Sequence, residues 1–388
     1  MATEAHHTPT ASEPPEGGRR APLRLLAGVA VALVLLVFAG LQTHSLRRYR
    51  HEHLVRNAAY SADAPPLLMF ANVALGGFRG IIADLLWLRA SRMQQEGRYI
   101  ELVQLSEWIT ALEPDNGEVW AYHAWNMAYN VSIMMTRMED RWRWVQNGLY
   151  LLIEKGVRLN PSSAQVRREL AWIFQHKLGM EADATGAYYR REWARTVATY
   201  LEPDGSPPDP DSLNGAELPS ALGLSPRKMQ AIDQRFGKLD WRVPCAHAVY
   251  WALEGLERAT ERERLSCRRI VYQSLIMMIR ANGRLMGDPE EDSFIFRAEP
   301  NEALLEGTIA FLEETNTEHN FHGVRMAFCG LLFEGIRIDV KAEHQAAARA
   351  KFNRAAELFG GADRLPTFEE LSSGSAKVDW DRFRQTGD

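Results

Sequence analysis

His247 and Glu254 stand seven residues apart. On a helix that spacing sets an imidazole and a carboxylate on one face, the minimum for acid–base chemistry. A solvated or core-edge pair explains the same spacing more simply. "RHEH" at 50–53 offers two histidines at i and i+2, which point apart on a helix and make a poor metal grip; beside an apolar stretch it reads as a membrane-surface segment. "RWRW" at 141–144 has the arginines and rings to hold an anionic chain, or to pack two Trp beneath snorkelling Arg stems. "SIMMTRM" at 132–138 suits either an adaptable contact surface or a buried plug. The densest run is "EVWAYHAWNMAYN" at 118–130, where His123 lies among Tyr122, Trp125 and Tyr129. An isolated histidine with no carboxylate or cysteine beside it reads as packed rather than reactive.

Other chemistry is missing from the sequence. HExxH, GxSxG, Walker and kinase signatures do not occur, and "GGFRG" at 76–80 follows no strand, so it is no dinucleotide loop. Cys245, Cys267 and Cys329 form no CxxC pair and are odd in number, which argues against a disulfide framework or a structural zinc and for three small buried hydrophobes. A net charge of −5 lacks the basic excess of a nucleic-acid protein. We therefore expect no enzyme activity, no cofactor and no metal.

The elements that must position these residues start with a membrane segment. Residues 1–22 read as a disordered tail. From Leu25 to Leu41 no residue is charged, and with its flanks the stretch 23–43 reaches bilayer-spanning length. A cleaved signal peptide is the rival reading; the length of the apolar run favours an uncleaved anchor. The flanking arginines lean slightly toward a cytoplasmic body, but long domains translocate regardless of charge, so an extracytoplasmic body is expected. A second apolar run, 66–88, carries Arg79 and Asp84 and is read as a buried helix pair or a surface-docking element; it begins inside a juxtamembrane helical segment set at 44–82 and ends in the first repeat.

Beyond it the sequence repeats. "LEPDNGEVWAYHAW" (112–125) and "LNPSSAQVRRELAW" (159–172) match at one offset: Leu112/Leu159, Pro114/Pro161, Val119/Val166, Ala124/Ala171 and Trp125/Trp172. Apolar residues recur at helical spacing through Leu85, Leu88, Leu102, Leu105, Trp108, Ile109 and Leu112. The segment 83–205 resembles the tetratricopeptide repeat, a helix–turn–helix unit with Trp at its fourth position, a small residue at its eighth, a Gly-x-Tyr between helices and a closing Pro. Units 83–116, 117–163 and 164–205 carry Ala90, Gly97, Tyr99 and Pro114; Trp120, Ala124 and Pro161; and Ala171, Gly186, Tyr188 and Pro203. Arg89 and Arg167 depart from the pattern. The middle unit is too long, with its extra residues placed between its helices at 132–141.

The resemblance implies an all-α solenoid behind one membrane helix. It places Trp120, Ala124 and Met127 in the core. It places Glu118, Trp125, Tyr129, Gln165, Arg168, Trp172 and His176 along a partner-binding groove, with Gln94 and Gln175 at further groove positions. The run 202–226, with six Pro and three Gly, reads as a linker (206–225) and as the best boundary in the chain. A helical, repeat-like region follows (226–360), with no sustained strand and "FIF" at 294–296 extended, then a polar tail (361–388) that is frayed or wrapped on the surface. The function implied is a membrane-anchored scaffold of the bacterial envelope that binds a peptide or helix of a protein partner. A fixed subunit of a membrane complex is the alternative; an enzyme on envelope polymers ranks third.

Overall fold

The computed structural model describes residues 79–180, 184–288, 291, 294–299, 301–359, 361 and 365–375. The expected span at 23–43 and most of 44–82 lie outside these residues. Among those described, no helix is long and apolar enough to cross a membrane. The chain divides into two compact units, Met1–Leu88 and Arg89–Asp388. What is described of the first is the opening of helix α1 (Arg79–Gln95), where Ile81, Leu85 and Leu88 are exposed.

Among its described residues the second unit is all-α apart from one short ribbon. α2 (Tyr99–Leu112) leads through a tight turn into α3, which runs from Gly117–Trp125 through a π-helical stretch, Asn126–Val131, to Ser132–Met134. α4 (Met138–Tyr150) likewise continues as π-helix Leu151–Gly156 and ends at Val157–Leu159. α5 (Ala164–Trp172) continues as π-helix Ile173–Gly179, and α6 (Gly186–Ala198) follows. α3 and α5 begin, and turn π-helical, at the same sequence offset that relates the matching residues. Their starts are capped alike: Asn116 Oδ1 accepts from Glu118 N at 3.1 Å and Ser163 Oγ from Val166 N at 3.3 Å. The long middle unit does not carry its extra residues in a loop, as expected, since only 135–137 separate α3 from α4. The length is taken up within the helices, where i→i+5 bonding accommodates additional residues.

α3 packs on α2, α4 and α5; α5 packs on α9 (Pro244–Leu256). The order continues through α10 (Glu261–Met277, then π-helix Met278–Asn282), α11 (Glu302–Glu318), α12 (His322–Lys341) and α13 (Gln345–Phe359), each on the one before. Close approach is built into α4: a Cβ on Gly148 would lie 2.9 Å from the carbonyl oxygen of Ala124, so this crossing needs glycine. One continuous apolar core reaches from Trp120 to Leu371.

Two expectations are corrected here. The Pro/Gly-rich run is no linker and no boundary. It contains α7 (Leu213–Leu222), capped by Ser212 and ended by Gly223 at φ +68°, and Leu218, Leu222 and Leu224 join the core. Its loop is locked by a buried ion pair: Arg242 meets Asp240 at 2.7 Å and donates to Pro203 O, Asp204 O and Leu285 O. α8 (Pro226–Phe236) follows directly. Of the two readings of the tail, the described part is not frayed: α14 (Phe368–Ser373) has a Thr367–Glu370 capping box and packs Phe368 and Leu371 into the core, deeper than a surface wrap; residues 376–388 lie outside the described part. β1 (Arg284–Met286) pairs antiparallel with β2 (Ile295–Arg297), close to the extended run expected.

Candidate functional site

The acid–base pair does not assemble. His247 is fully buried between Phe174, Trp193 and Trp241, and its Nε2 donates to Trp241 O at 2.7 Å. Desolvation drives its imidazole down to about 4, which keeps it neutral. Glu254 is engaged elsewhere, by Lys228 and by Arg258 at 3.3 Å. His123 is also buried, 2% exposed, and is pushed down to about 4 by burial. The three cysteines are free and buried, and burial pushes the Cys245 thiol up to about 12. Trp142 of the "RWRW" run is buried against Tyr189. Glu261, Glu318 and His319 come close enough to share an ion, but Arg264 and Arg268 both pair with Glu318, so this is an ion-pair cluster.

The expected groove residues behave differently. Trp120, Ala124 and Met127 are buried, as the repeat register requires. Trp125, Tyr129, Trp172 and His176 are partly exposed and form one row with Tyr122. Tyr122 lies 6.5 Å from Trp125, Trp125 lies 5.8 Å from Tyr129, and both pairs stack. The row then crosses from α3 to α5. Tyr129 lies 5.7 Å from His176, with its hydroxyl 3.2 Å from His176 Nδ1, and His176 stacks on Trp172 at 4.6 Å. Tyr129 and His176 are 47 residues apart, so the contact joins equivalent positions of the two repeats. The Tyr122 hydroxyl donates to Gln94 Oε1 at 2.9 Å, tying the row to α1.

Burial raises the Tyr129 phenol well above its usual range and lowers the His176 imidazole, so both are neutral near pH 7. The ammonium of Lys177 sits 5.3 Å from the Tyr129 ring centre and 5.5 Å from that of Tyr189. Glu118 and Gln165 lie two helical turns before Trp125 and Trp172 on the same faces; Glu118 is exposed and Gln165 half-buried. Arg168 is half-buried one turn before Trp172.

Gln175 does not join this row. It is buried, and its Nε2 donates to Ile270 O at 3.0 Å and to Ser274 Oγ at 2.9 Å on α10. The π-helical stretch rotates it inward, a change of register that a purely α-helical reading misses. Sequence reasoning also passed over Glu169. It occupies the position equivalent to Tyr122, three residues before Trp172 and seven before His176. Its Oε1 is buried without a hydrogen-bond partner, and desolvation raises its carboxyl to about 7 against the opposing pull of Arg168. Its spacing to two expected groove residues was the signal available. No family model, curated protein or solved structure matches the chain.

Proposed function

We propose that the protein is a membrane-anchored helical-repeat scaffold of the bacterial envelope. Its tetratricopeptide-like array grips a peptide or helix of a protein partner along the wall Tyr122–Trp125–Tyr129–His176–Trp172. The observation that carries this reading is the continuity of the row. Five rings from two successive repeats form one partly exposed surface, while the neighbouring helix faces are committed to the core. Rigid aromatic rings supply large contact area at small entropic cost, which suits a binding wall. The body is anchored through 23–43 and faces the extracytoplasmic side, and it works without cofactor, metal or nucleic acid.

The test is crosslinking and co-purification from native membranes, comparing the natural protein with Trp125→Ala/Trp172→Ala. A partner lost in the variant while circular dichroism stays unchanged supports the wall. A partner retained in both moves the interface elsewhere. The place to look is then the exposed Ile81, Leu85 and Leu88 of α1, which recur at i, i+4 and i+7 and favour a second reading, a fixed subunit docked through that face.

A further inference from the structure

We infer that the α5 half of the wall is a subsite for a cationic side chain, an arginine or lysine of the bound segment, held between the Glu169 carboxyl group and the ring of Trp172. This rests on the wall being the binding surface.

Three observations converge on it. Glu169, Trp172 and His176 recur at i, i+3 and i+7, so the carboxylate shares the helix face that carries the second half of the row. Glu169 also stands at the position of α5 equivalent to Tyr122, the first ring of the row on α3. Finally, its Oε1 is withdrawn from solvent and unpartnered, a costly arrangement for a carboxylate. An incoming guanidinium or ammonium would supply the missing donor as a charge-assisted hydrogen bond. The ring faces add attraction for the same ligand, since an aromatic quadrupole is negative over its face. Tyr129 already carries one such contact, from the buried Lys177 ammonium. An acidic or purely apolar ligand would leave Glu169 unpaired and is disfavoured there.

The test selects random twelve-residue peptides displayed on phage against the full chain in nanodiscs. Parallel selections use Glu169→Gln, which keeps the side-chain shape, and Trp125→Ala/Trp172→Ala. The expected result is enrichment of Arg or Lys at one fixed position. Affinity for those peptides should fall about ten-fold in Glu169→Gln, about 1.4 kcal/mol, and should be lost in the Trp variant. Peptides that need the two Trp but show no basic position, or bind Glu169→Gln equally well, overturn the cation subsite and leave the wall standing. Failure to enrich any peptide that depends on the two Trp overturns both.

Discussion

α3 and α5 are two versions of one helix, and the substitutions between them separate what the backbone needs from what the surface does. Trp120 and Arg167 are equivalent, and both tie the helix to the loop before it. The Trp120 indole donates to Pro114 O at 2.9 Å, and Arg167 Nη1 donates to Ser163 O at 2.9 Å and Asn160 O at 3.2 Å. A ring and a guanidinium thus do one structural job, because each is long, buried and a donor. Elsewhere the pair diverges. His123 stands opposite Leu170, Ala128 opposite Gln175, and Tyr122 opposite Glu169. The first helix holds its neighbours through ring packing and Asn126, whose Nδ2 donates to Tyr99 O at 3.3 Å, whereas the second reaches α10 through Gln175. Fold and wall are therefore separable: the shared spacing sets the row, and the residues that differ set its chemistry.

The comparison can be broken at its anchors. Trp120→Ala should cost about 3–5 kcal/mol by denaturant titration, because it removes a buried ring as well as the loop bond. Arg167→Met keeps bulk but leaves the Asn160 and Ser163 carbonyls short of a donor, so a smaller loss of about 1–3 kcal/mol is expected. Equal losses at the two sites would mean that the loop bond, not ring burial, dominates at Trp120.

Acid titration sharpens the comparison further. His123 is held near 4 in the fold, below its ordinary 6.5, so the unfolded chain binds the extra proton. Stability from keeping it neutral is complete above about pH 6.5 and is lost as pH falls toward 4, on the order of 2–3 kcal/mol for this group. Both ring nitrogens lack partners. His123→Leu, which copies the second helix, should flatten the acid limb of a stability–pH curve, leaving the part due to His247. An unchanged acid limb would exclude His123 as its source.

Glu169 works in the opposite direction. Its carboxyl is raised to about 7 from 4.5, so the fold binds the proton more tightly than the unfolded chain. That contribution is full below about pH 4.5 and is lost as pH rises through 7. Glu169→Gln should therefore stabilise the protein by about 1–2 kcal/mol at pH 8 and by much less at pH 5, read as a melting temperature at each pH. The smallest effect is expected for Trp125→Ala, below about 1 kcal/mol at this partly exposed site; a larger loss would assign the ring to the core.

Much of this was legible in the sequence. Apolar spacing and the offset between matching segments located α2, α3 and α5 and gave the helical character of 226–360, and the repeat register separated buried Trp120 from partly exposed Trp125. These are local properties, set by helical period and by side chains reaching their own backbone. The composition of 202–226 misled because Pro and Gly counts report backbone preference and not burial: α7 is held by Leu218 and Leu222 in a core assembled from distant helices, and Arg242 holds the carbonyls of Pro203 and Asp204 at the start of the run.

The sequence by itself determined the matching segments, the helices and the residue types of the aromatic row. Tertiary structure alone decided that Gln175 turns inward to α10, that His247 and Glu254 never meet, and that one oxygen of Glu169 is buried without a partner. The physical reason is one of range. Helix periodicity is fixed within a few residues, whereas desolvation and hydrogen-bond satisfaction depend on atoms that other helices bring in from tens of residues away.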